Sequence, residues 1–91
     1  MKFSELEFMP HPSTLGGIQA RHDFPNGYGV SVIKSSRSYG GDAGRYEVAV
    51  MLHGHLTYDT PITDDVLGWQ SEPDVDEVLA AVESLPKAVK A

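Results

Sequence analysis

An α+β fold, a four-stranded antiparallel β-meander packed against one C-terminal α-helix, is predicted by three features of this chain. Short runs of alternating apolar and polar residues recur between glycine- and asparagine-containing turns, which is how half-buried strands read. One stretch near the C-terminus carries apolar residues at helical spacing. That stretch is the only long amphipathic segment available to cover the face a meander must bury. Ninety-one residues suit one domain, 1–91, with 86–91 expected as a flexible tail.

At the N-terminus, Ser4 and Glu7 fit a capping box and predict a short helical turn, which Pro10 and Pro12 would stop. A short edge strand is the competing reading. Phe3, Leu6 and Phe8 are bulky enough to pin this segment to the body. In residues 17–24, Ile18, Ala20, His22 and Phe24 alternate with Gln19, Arg21 and Asp23. Pro25-Asn26-Gly27 supplies a tight turn with positive φ at Asn-Gly, and Tyr28, Val30 and Val32 begin the return strand. Ser35–Gly44 is a polar, glycine-rich connection that reads as a mobile hairpin loop. It is followed by a strand and not a helix, so it fails the context test for a phosphate-binding loop.

Residues 45–52 alternate Tyr46, Val48, Val50 and Leu52 with Glu47, Ala49 and Met51, as a central strand does. His53-Gly54 fits a two-residue turn, and a fourth strand is predicted over His55–Asp59, with Leu56 in the core. Residues 61–70 predict a turn and then a brief extended piece. Ser71 caps the helix, Pro73 sits in its first turn and Asp74 closes a capping box. Val75, Val78, Leu79, Val82 and Leu85 form its buried stripe, and Pro86 ends it. Trp69 by its size suits packing between sheet and helix, with an exposed binding role as the alternative.

The chain is 41% hydrophobic with a net charge of −6 and no cysteine. Disulfides, zinc-thiolate sites and cysteine nucleophiles are therefore excluded. Residues 1–58 are balanced in charge, so the net negative charge sits in residues 59–91. Direct binding to duplex nucleic acid is disfavoured, because phosphate neutralisation needs clustered Lys and Arg. The acidic third is either a solvated face or a surface for a basic protein partner. No signal-peptide pattern and no membrane-spanning run is present, so a cytoplasmic location is expected.

Chemistry is sparse. His53 and His55 would share a face if both lay in one strand, as two ligands of a metal-dependent enzyme would. The intervening Gly54 marks a turn, and no third ligand stands at a diagnostic spacing. Asp59, Asp64 and Asp65 offer carboxylates for acid–base work, but solvated turns commonly hold adjacent aspartates. No nucleophile elbow accompanies the serines. The expectation is a protein that is not an enzyme, with no catalytic residue, metal ligand or cofactor site. Asp59, Asp64, Asp65, Trp69, Tyr39 and Arg37 are the candidate protein-binding residues, since Trp, Tyr and Arg dominate interface hot spots.

The phrases NGYGVSV at 26–32, SYGGDAGRYEVAV at 38–50 and YDTPITDDVLG at 58–68 resemble a group of small uncharacterised bacteriophage and prophage proteins. The resemblance spans about residues 26–85. It implies a phage or prophage gene acting in the host bacterial cytoplasm, and it supplies no activity to carry over. The function expected on these grounds is an acidic binding protein that engages a host or phage protein. Inhibition of a host nucleic-acid-binding or defence component is one such role. A homo-oligomeric structural or accessory virion protein is the alternative, and a metal-dependent enzyme built on His53 and His55 is the second.

Overall fold

The computed structural model describes residues 1–12 and 16–88. Its centre is three long antiparallel strands: β2 (Ile18–Asp23), β3 (Tyr28–Lys34) and β4 (Tyr46–Leu52). Two-residue β1 (Met9–Pro10) flanks β2. Short β5 (His55–Leu56) and β6 (Leu67–Gln70) lie along the far edge of β4, β5 at its end and β6 at its start. Helix α1 (Glu72–Glu83) covers one face. The α+β expectation therefore holds, with six strands among the described residues in place of four.

In-register rows explain the core. Ala20, Val32 and Val48 stand opposite one another, as do His22, Val30 and Val50. Alternation sends these rows to the helix side, where Val30, Val32, Val48 and Val50 meet Val75, Val78, Leu79 and Val82 of α1. Phe24, expected only as an alternating strand residue, is also buried here. Burial of each such aliphatic side chain stabilises by about 1.5–3 kcal/mol.

Helix ends are satisfied from both sides. Ser71 Oγ accepts the Asp74 N–H at 3.2 Å, and Asp74 Oδ2 accepts the Ser71 N–H at 2.9 Å, which is the expected capping box. These Ser71 bonds, backbone first, hold the Asp74 carboxyl below its ordinary 3.8, aided by the Arg45 charge and opposed by partial desolvation. At the other end, Asn26 Nδ2 donates to the carbonyls of Val82 and Leu85 at 2.9 and 3.0 Å. The β2–β3 turn thus caps the helix C-terminus.

Several expectations change. The N-terminal turn is a 3-10 turn at Phe3–Glu5 with Lys2 before it, and Ser4 does not cap it. Glu5 Oε1 accepts the Lys2 N–H at 2.7 Å, so Glu5 takes the role expected of Glu7. Phe3, Phe8 and Tyr46 do pack together, with ring centroids 5.0–5.7 Å apart. The β2–β3 turn has positive φ at Gly27 alone, because three residues rather than two cross it. Its closing Phe24–Tyr28 pair makes it a type I turn with a bulge.

His53-Gly54 does form a two-residue turn with both φ values positive. That turn sets Leu56 opposite Met51, on the face away from the helix, and leaves it 55% exposed. The predicted core role for Leu56 and the strand to Asp59 both fail: β5 stops at Leu56, with one further bond from the Thr57 N–H to the Val50 carbonyl at 3.0 Å. The glycine-rich loop is closed by its own hydrogen bonds, with Ser38 Oγ accepting the Ser35 N–H and donating to the Ser35 carbonyl. Residues 89–91 of the expected tail lie outside the described residues, and the Ala88 N–H donates to the Asn26 carbonyl at 2.7 Å.

Candidate functional site

Strand β6 carries one more residue than its partner. Leu67 pairs with Val48 and Gln70 with Tyr46, so Gly68 and Trp69 both stand opposite the single Glu47. This is a β-bulge, a device that re-aims side chains. Trp69 takes φ +57°, a left-handed conformation that a bulge ordinarily gives to glycine and that an L-residue adopts at a cost of about 1–2 kcal/mol. Without the extra residue, Trp69 would share the face of Leu67, towards the helix. With it, Trp69 swings out and is 63% exposed. The expected packing of Trp69 between sheet and helix is thereby overturned.

Tyr39, on the loop between β3 and β4, is 64% exposed and stands beside it. The Trp69 N–H donates to the Tyr39 carbonyl at 3.1 Å. Two glycines interlock the pair. A Cβ on Gly40 would lie 3.0 Å from Trp69 Cα and Cδ2, and one on Gly68 would lie 2.5 Å from Tyr39 Cβ. Each aromatic residue therefore rests on the glycine next to the other. Any side chain at Gly68 would push Tyr39 away.

The remaining candidates are placed as follows. Arg37 is exposed two residues before Tyr39, and its guanidinium has no hydrogen bond or ion pair among the described residues. Asp64 and Asp65 are exposed on the segment leading into β6. Asp65 Oδ1 accepts the Val66 N–H at 2.8 Å, and Thr63 Oγ1 accepts the Asp65 N–H at 3.1 Å. Four or five extended residues separate them from Trp69, at most about 18 Å. A standard interface patch of about 800 Å² per partner covers that distance. Asp59 is exposed earlier in the same segment and makes no hydrogen bond to Asp64 or Asp65. The structure thus brings Tyr39 and Trp69 together, keeps Arg37, Asp64 and Asp65 near them along the chain, and does not join Asp59 to the group.

His53 and His55 are both exposed at the β4–β5 turn. Among the described residues no three His, Cys, Asp or Glu side chains group to hold a metal. No described helix is long and apolar enough to cross a membrane.

Sequence reasoning missed a second feature. The sheet face opposite α1 is covered by no helix among the described residues and holds a half-open hollow of about 280 Å³. Ile33, Ala49 and Met51 form its floor, Leu56 and Val66 one wall, and Arg21 and Glu47 stand in its rim. Gln19 Nε2 donates to Ser31 Oγ at 3.1 Å within it. Glu47 links the hollow to the aromatic corner, because its Oε1 accepts the Tyr39 N–H at 3.3 Å. The signal lay in the alternate residues of the three strands, Gln19, Arg21, Ser31, Ile33, Glu47, Ala49 and Met51, which are more polar than those of the helix face.

Fold and site together define a small α+β domain with an interlocked, solvent-facing aromatic pair beside an open sheet face. Comparison with known proteins finds no matching family model, no matching curated protein and no matching solved structure.

Proposed function

We propose that the protein is a binding module that engages a protein partner through the Tyr39–Trp69 corner, flanked by Arg37, Asp64 and Asp65. One observation carries this reading: the sole tryptophan occupies a left-handed bulge position and is 63% exposed. Backbone strain of this kind persists only where the surroundings over-determine it, and it concentrates at functional positions. Solvent-facing aromatic rings with arginine nearby match the composition of interface hot spots. The close packing of Gly40 and Gly68 fixes where both side chains leave the backbone, which lowers the ordering cost of binding.

The flanking aspartates and the net charge of −6 suit a basic partner, such as a nucleic-acid-binding protein. The phage resemblance of the sequence would place that partner in a bacterial host or on the phage itself, with inhibition of a host defence component as one outcome.

The test is affinity capture from bacterial lysate with the wild-type chain, Trp69→Ala and Tyr39→Ala as baits, at low and moderate salt. The expected result is a defined protein retained by the wild type in both salts and lost from both variants. Nothing above background in either salt, or equal recovery by all three baits, overturns the proposal.

A further inference from the structure

The hollow on the open sheet face is small and polarised, and both properties bear on what it holds. About 280 Å³, half open, falls at the lower limit for sites that enclose a whole small-molecule ligand. It is large enough for one or two apolar side chains. Its floor of Ile33, Ala49 and Met51 is apolar, while its rim is cationic at Arg21 and anionic at Glu47.

The charges have a fixed spacing. Glu47 stands opposite Ile33, Ile33 opposite Gln19, and Arg21 lies two residues along from Gln19. Two strand spacings across and two residues along put the Glu47 and Arg21 Cα atoms about 12 Å apart. That is the reach of three to four residues of extended chain. Both charged groups retain capacity for a ligand. The Arg21 guanidinium gives one hydrogen bond, to the Gly54 carbonyl at 3.2 Å, and has further donors. Glu47 receives the Tyr39 N–H on Oε1, which leaves Oε2.

Strand addition at the neighbouring edge is blocked. On β6 the Trp69 N–H is bonded to the Tyr39 carbonyl, and the Gly68 carbonyl accepts Gln70 Nε2 at 3.0 Å. A chain arriving here must be read by its side chains across the sheet face and not by its backbone.

We propose that this face is the register-setting half of the binding surface and that its occupant is an extended peptide segment of the partner. That segment carries a Lys or Arg at the Glu47 end, an Asp or Glu three to four residues away at the Arg21 end, and apolar side chains between them. The inference rests on the reading of the Tyr39–Trp69 corner as a protein-binding site, with which the hollow is continuous through Glu47. The corner supplies anchoring area, and the hollow fixes direction and sequence preference.

The experiment is selection of a displayed random library of linear peptides on the full chain, repeated on Arg21→Glu, Glu47→Lys and the double variant. Circular dichroism confirms that each variant is folded. The wild type is expected to enrich peptides with the stated charge order. Each single variant is expected to weaken them about fivefold or more, the scale of one ion pair. The double variant is expected to enrich the reversed order. No enrichment, enrichment without charge order, or indifference to the exchanges overturns the inference. If Trp69→Ala abolishes partner capture while selected peptides ignore the exchanges, the corner stands and the hollow falls. If the exchanges reverse peptide preference while Trp69→Ala leaves capture intact, the corner falls and the hollow remains a peptide site in its own right.

Discussion

The two faces of the central sheet are made from the same three strands, taken at alternate residues. On the helix side stand Val30, Val32, Val48 and Val50, each at most 1% exposed. On the other side the same strands present Gln19, Arg21, Ser31, Ile33, Glu47 and Ala49. The first face is filled by α1 and leaves little to explain beyond packing. The second has an apolar floor, opposed charges and an aromatic pair at its border, and no helix among the described residues covers it. Stability is concentrated on one side and the capacity for recognition on the other.

This contrast makes the largest effects easy to place. Leu79→Ala, at a position of α1 with no exposed surface, should cost about 2–5 kcal/mol, because a helix held by strands on one side cannot collapse into the space left. Gln19→Ala on the open face should cost only about 1 kcal/mol, the scale of its one hydrogen bond to Ser31. Urea denaturation of the two variants measures both, and a comparable loss at Gln19 would erase the distinction between the faces.

A smaller effect tests the strain at the bulge. Trp69→Gly should be about 1–2 kcal/mol more stable than Trp69→Ala, since glycine accepts φ +57° freely and alanine does not. Equal stabilities would show that the left-handed position imposes no cost.

The smallest effect concerns acid sensitivity at the helix start. Ser71 holds the Asp74 carboxyl below its ordinary 3.8 in the folded chain. A lowered folded value means the stabilisation is present above the unfolded value and is lost as pH falls through the folded one. Asp74→Asn should therefore differ most from wild type above about pH 4 and converge with it in stronger acid. A difference that grows towards low pH would reverse the assignment.

How legible these regions were in the sequence follows from the range of the forces involved. The helix, its Ser71 cap and its stripe of Val75, Val78, Leu79 and Val82 depend on residues within a few positions of one another, so spacing alone revealed them; Leu85, expected to continue the stripe, falls beyond the helix end at Glu83 and is only half-buried. The His53-Gly54 turn was equally local. Leu56 was misplaced because its face depends on the pairing that this turn imposes, which sets it against Met51. Trp69 depends on a count of residues across two strands far apart in sequence. No local pattern announces that Gly68 and Trp69 share one partner, Glu47. Tyr39 and Trp69 were each selected by residue type, but their interlock through Gly40 and Gly68 is a tertiary fact.

The central claim is that the sole tryptophan is exposed and rigid at once, and its fluorescence reads both properties without labelling. In the native protein the emission should lie close to that of the urea-unfolded chain and be readily quenched by acrylamide. Its anisotropy should decay only with tumbling of the whole molecule. A blue-shifted, quencher-protected emission would return Trp69 to the interior between sheet and helix, and a fast anisotropy decay would dissolve the interlock; either result contradicts the account.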